Sequence, residues 1–208
     1  LPPQIKSIED KVFSRCFSLS EINLPSTLES IGKASFSGCR KLQSITIPSS
    51  VKSISRFAFD KCYGIEKIDI PSSITSINEH VFRECYALKE VNLSPSVTII
   101  HDFAFYKCAS LEKITFPSSV KKIGNFAFNE CIGLTQVLMS DSITSIGTFA
   151  FNNCHLLSDV KFSSSILSIG AQSFQMCANL TEVVFPSSLT VIERCIFNSC
   201  LYLRKVII

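Results

Sequence analysis

The feature that most restricts the fold is a unit of 23 residues that recurs along the whole chain without a slip of phase. A phenylalanine stands at Phe13, Phe36, Phe59, Phe82, Phe105, Phe128, Phe151, Phe174 and Phe197, and a cysteine follows three residues behind each, from Cys16 to Cys200. An isoleucine row runs as regularly through Ile8, Ile31, Ile54, Ile77, Ile100, Ile123, Ile146, Ile169 and Ile192. A fixed period between about 20 and 50 residues means a solenoid: no rung can bury its apolar face alone, and stacking makes the core continuous. The 208 residues therefore predict one elongated domain of nine rungs, 1–208.

Residues 117–139, P-S-S-V-K-K-I-G-N-F-A-F-N-E-C-I-G-L-T-Q-V-L-M, show what a rung is made of. The end of the unit alternates, with Val137 and Met139 inward and Gln136 and Leu138 outward, and a period of two with β-branched residues predicts a short strand. The proline or serine that follows each such strand (Pro25, Pro48, Pro71, Ser94, Pro117, Ser140, Ser163, Pro186) ends it, because proline lacks the ladder's donor and fixes φ. The Ser-Ser that usually comes next suits a turn, since short hydroxyls bond nearby backbone groups. A second extended piece ends at Ile123, and the spacing of Ala127, Phe128 and Cys131 predicts one helical turn packed inward. The expected fold class is an α/β solenoid, with a parallel sheet on one side and short helical turns on the other.

The order L-x-x-I-x-I-P-x-x-V-x-x-I-x-x-x-A-F-x-x-C, nine copies over essentially the whole chain, resembles the BspA-like leucine-rich repeats, the 23-residue class of bacterial and protozoan surface proteins. The resemblance implies a curved right-handed leucine-rich repeat superhelix with its parallel sheet on the concave side. It also implies a surface-displayed or secreted adhesin or antigen that binds host proteins, matrix components or other cells. An intracellular protein–protein interaction scaffold on the same solenoid is the alternative, favoured by the many free cysteines. Rung one (5–24) and rung nine (189–208) are already complete, without the polar capping repeats that solenoids need. The chain thus reads as an uncapped piece of a longer protein, with apolar ends open to self-association.

Ten cysteines would ordinarily raise disulfides or zinc. Nine share one repeat position, so a column of small buried thiols is the expectation, with Cys195 outside it. Rungs about 4.8 Å apart bring Cα atoms within disulfide reach, but side chains in a ladder run parallel rather than toward each other. Zinc needs four converging ligands. With no C-x-x-C and with His80, His101 and His155 at three different repeat positions, neither a metal nor another cofactor is expected. Nor is an enzyme: there is no G-x-S-x-G, Walker-type loop or H-E-x-x-H, and the serines sit in turns. A net charge of +3 with interspersed signs shows no Lys/Arg block, so the footprint for nucleic acid is missing. No stretch approaches the roughly 20 apolar residues of a membrane helix.

Two rows outside the framework are candidates for recognition. Two residues before the core phenylalanine lie Phe57, His80, Phe103, Phe126 and Phe149, either an exposed ridge or, as expected here, a secondary stack covering the turns. The outward strand row reads Asn23, Thr46, Asp69, Asn92, Thr115 and then Leu138, Lys161, Val184, Ile207. Its change from polar to apolar, rimmed by mixed charge, places a protein-binding site on the concave face at Lys113, Gln136, Leu138, Asp159, Lys161, Glu182, Val184 and Lys205. Coverage of that apolar end by further repeats or by a second copy is the competing reading.

Overall fold

The computed structural model describes residues 1–208 as a stack of rungs in which fifteen short strands, and no helix, form two parallel ladders. One ladder is made of three-residue strands: Lys67–Asp69, Glu90–Asn92, Lys113–Thr115, Gln136–Leu138, Asp159–Lys161, Glu182–Val184 and Lys205–Ile207. The other is made of two-residue strands ending on the isoleucine row, from Ser7–Ile8 to Ser168–Ile169. In both, a residue pairs with the residue 23 positions on, as Val137 does with Val160 and Ile146 with Ile169, so the repeat length is the register.

The rows that repeat are the rows that are buried. From Phe36 to Phe174 and from Cys39 to Cys177 every member of both columns is fully buried. The phenylalanine rings stack along the axis at centroid distances of 5.2 to 5.9 Å. Offset ring pairs of this kind add to the burial itself.

The predicted helical turn is corrected by the backbone. Ala127, Phe128 and Cys131 are buried together as their spacing demands, but the segment holds no helix. It is a run of turns in which the residues two before and two after the core phenylalanine take positive φ, as Phe126 (55°) and Glu130 (60°) do. Left-handed backbone disfavours residues with a Cβ, and here it is offset by bonds along the stack. With these two residues flipped, every second N–H points toward the next rung: Phe126 donates to Thr148 at 2.9 Å, Phe128 to Ala150 at 2.7 Å and Glu130 to Asn152 at 2.9 Å. A helical turn would keep those donors inside its own rung.

Side chains both extend and interrupt the ladders. The turn serines bond the preceding rung rather than their own turn: Ser50 and Ser119 donate to the carbonyls of Leu28 and Val97, each at 2.6 Å. The two-residue ladder breaks between Ser53–Ile54 and Ser76–Ile77. There the Asn78 side-chain amide donates to the Ile54 carbonyl at 2.7 Å, the acceptor that the backbone N–H takes at the equivalent Gly124 and Gly147. The three-residue ladder breaks on either side of the 113–161 segment. Both breaks fall where the turn opens on a buried serine, Ser94 or Ser163, whose hydroxyl accepts the N–H of Ser96 or Ser165. Such local bonds compete with ladder pairing.

Candidate functional site

The three-residue strands turn their first and third residues out, which puts all eight candidate residues on one face. Lys113, Gln136 and Asp159 lie side by side in one register row, and Thr115, Leu138 and Lys161 in the next. Glu182, Val184 and Lys205 belong to a separate strand pair, with Glu182 opposite Lys205 and Val184 opposite Ile207. The site is therefore one face but two sheet segments, divided at the Ser163 junction. Leu138 is 38% exposed, Val184 50% and Ile207 38%, so the apolar change in the row is a change at the surface.

The charges around these residues are unequal. Lys205 pairs with Glu182 at 3.2 Å, and the Gln136 amide donates to Asp159 at 3.4 Å. Lys113 and Lys161 have no acidic partner within ion-pair distance. A groove of about 690 Å³ runs along the same face at the Ser94 junction, with Glu90, Asn92, Lys113 and Thr115 on its walls. Lys113 thus joins the apolar patch to the groove.

The aromatic row is a secondary stack and not an open ridge. Phe57, His80, Phe103, Phe126 and Phe149 are half-buried, with successive ring centroids 4.4 to 4.8 Å apart. His80 sits inside it as one more ring, its pKa held below the ordinary histidine value by burial and by the nearby Arg83 cation.

Nor does the cysteine column offer chemistry. All ten cysteines are free. From Cys39 to Cys200 each column thiol donates to the carbonyl of the phenylalanine 26 residues earlier, at 3.1 to 3.3 Å. Burial pushes the Cys39 and Cys200 thiols up to about 11 and the inner ones further. A thiol is the nucleophile only as thiolate, so these behave as small hydrophobes that close one backbone acceptor each. Groups of three or more His, Cys, Asp or Glu able to hold a metal do not occur.

One polar constellation escaped sequence reading. Asp60 is 6% exposed, and Arg83, one rung on at the same repeat position, donates from Nε to its Oδ1 at 2.7 Å. Ser37, one rung back, donates to Oδ2 at 3.2 Å. The 23-residue spacing of a serine, an acid and a base was the available signal.

Residues 6–121 and 98–208 match the family described as BspA type leucine rich repeat region, in six copies. Among solved structures, the chain is similar to a leucine-rich repeat protein from Bacteroides ovatus, at 25% identity over 99% of this chain and 71% of that one, with a TM-score of 0.57. It is similar to the leucine rich repeat protein of T. pallidum at 27% identity, over 86% and 76% of the two chains, with a TM-score of 0.61. A leucine rich cell surface protein from Faecalibacterium prausnitzii is 25% identical over 98% and 83%, with a TM-score of 0.51. None of the curated proteins matches the chain.

Proposed function

The chain belongs to the BspA type leucine-rich repeat family, and from that premise we propose that it is a protein-binding module displayed at a cell surface, an adhesin or antigen whose partner is a host or matrix protein. The observation that carries this reading is the exposed apolar row Leu138, Val184 and Ile207, set beside the unpaired cations Lys113 and Lys161 on one face. Apolar anchors inside a polar rim are what a protein interface uses at its centre and edge. The similarity to a cell surface protein supports the location. The seven buried, hydrogen-bonded column thiols from Cys39 to Cys177 do not call for a reducing compartment, since they stay reduced without one. The reading assigns no catalytic residue.

Leu138→Asp with Val184→Asp places two charges on the outward row, at side chains 38% and 50% exposed. Binding of the wild type and this variant to a panel of immobilised matrix and serum proteins, with circular dichroism as the folding control, tests the site. A wild type that binds a panel protein and a folded variant that loses at least tenfold in affinity support it. Full retention by the variant, or no binding by the wild type, overturns it. Self-association is separated from partner binding by sedimentation of the same two proteins.

A further inference from the structure

The turn side of the first three rungs carries a charge pattern that the chain order hides. Residues 9–18, 32–41 and 55–64 together hold seven Lys and Arg against three acids, whereas 78–87, 101–110 and 124–133 hold two against four. The seven are scattered through some 50 positions of sequence, and stacking at roughly 4.8 Å per rung brings three of them, Arg15, Arg40 and Lys61, to the walls of one groove. None of the seven forms an ion pair.

A groove of about 390 Å³ opens within this surface, with Arg15, Gly38, Arg40, Asp60 and Lys61 among its walls. Arg15, Gly38 and Lys61 occupy the same repeat position, all at positive φ. Gly38 therefore leaves a floor without a side chain between two cationic walls that stand two rungs, roughly 10 Å, apart. Over it, the Arg40 guanidinium lies 4.6 Å from the Phe17 ring and 5.3 Å from the Tyr63 ring, clamped between side chains of the rungs on either side. A guanidinium stacked by its faces keeps its in-plane N–H fork for an oxyanion, with little side-chain freedom left to lose. The one carboxylate in the groove, Asp60, is already answered by Arg83 and Ser37.

We infer that this groove binds the sulfate groups of a linear sulfated polysaccharide. Three cations along a strip, with Arg40 held between two rings, fit separate anions carried on one polymer. Single-stranded nucleic acid needs rows of open ring faces for successive bases. Here Arg40 and Tyr86 take the faces of Tyr63, with Tyr86 stacked at 4.9 Å. The surface lies on the turn side, away from the strand face proposed above for proteins, so either assignment can fail without the other.

The test measures binding of a heparin-type sulfated oligosaccharide, its desulfated form and a DNA strand of equal charge at about 0.15 M salt, with folding checked by circular dichroism. Arg15→Glu with Lys61→Glu is expected to weaken the sulfated oligosaccharide at least tenfold and to flatten its salt dependence, since released counterions set that slope. Arg40→Lys, which keeps the charge but loses the fork, is expected to weaken it several-fold, and it decides the matter if the double variant does not fold. Lys113→Glu with Lys161→Glu, on the other face, is expected to change affinity less than twofold. The inference is overturned if the wild type does not bind, if the desulfated form or the DNA binds as tightly, or if the Lys113/Lys161 variant loses as much as the Arg15/Lys61 one.

Discussion

Rung six and the two end rungs carry the same framework residues in very different surroundings. Ile123, Phe128, Cys131 and Val137 of rung six are all within 1% of complete burial. At the same repeat positions in rung nine, Ile192 is 51% exposed and Val206 47%. Phe13 and Phe197 are only partly buried, whereas the seven phenylalanines between them are fully so. Identity is constant and burial is not, so each residue's burial is a property of its neighbours. This is what a quasi-one-dimensional stack requires, with energy divided between a rung and its two interfaces.

The comparison is sharpest for the phenylalanine column, where the largest effect is expected. Phe128→Ala should cost roughly 3–5 kcal/mol, because it removes a fully buried ring and leaves a cavity between two rungs. Phe13→Ala should cost well under half of that and fray only the first rung. Chemical denaturation of the two variants, with amide hydrogen exchange to locate the loosened rungs, checks both. Equal losses at the two positions would break the comparison and require a cooperative unit larger than neighbouring rungs.

Cysteines give a smaller effect with the same geometry. Cys131→Ala removes the thiol that donates to the Phe105 carbonyl at 3.2 Å and should cost about 1–2 kcal/mol. Cys16, exposed in the first rung, should be neutral to the same change. Alkylation of the native protein near pH 8 is expected to modify Cys16 and Cys195 quickly, and half-buried Cys200 far more slowly, since burial raises its thiol to about 11. The inner thiols should react only after unfolding, without reductant. Rapid native labelling at Cys108 or Cys131 would contradict a column closed by stacking.

The periodic rows made the solenoid, its register and its core legible, because each buried position repeats 23 residues on and nothing else explains nine copies. The outward placement of Leu138 and Val184 followed from the same alternation. What stayed hidden has three physical sources. Phe126 and Glu130 carry no sign of left-handed backbone, since their φ is held by bonds to a neighbouring rung and not by local preference. The ladder break at Asn78 depends on an amide intercepting the Ile54 carbonyl, a contest between side chain and backbone that a consensus does not record. The cluster of Arg15, Arg40 and Lys61 has no linear signature, because its members are gathered by stacking.

The smallest effect concerns the row two residues before the core phenylalanine, which differs along the stack in its residues and not only in its neighbours. Inner rungs carry rings there, while the outer ones carry Lys11, Ala34, Gln172 and Cys195. His80 is the polar ring of the set, stacked 4.4 Å from Phe57 and 4.7 Å from Phe103, with its Nδ1 buried and unpartnered. Burial and then Arg83 lower its pKa, against the opposing pull of Asp60, Glu79 and Asp102. With the folded value below the unfolded one, the unfolded chain binds the proton more readily. The stability at stake is complete above the unfolded pKa of about 6.5 and is lost as pH falls from there through the folded value. His80→Phe should raise stability by about 1 kcal/mol at pH 7, by removing an unsatisfied buried nitrogen and completing a run of five like rings. Phe already occupies this position at positive φ in the rungs on either side, at 62° and 57°, so the backbone accepts it. The gain over wild type should widen as pH falls below about 6.5, read from denaturation midpoints across pH 5 to 8. A gain that stays constant with pH would mean that His80 titrates alike in the folded and unfolded chain, and a loss at pH 7 would mean that the nitrogen has a partner in solution.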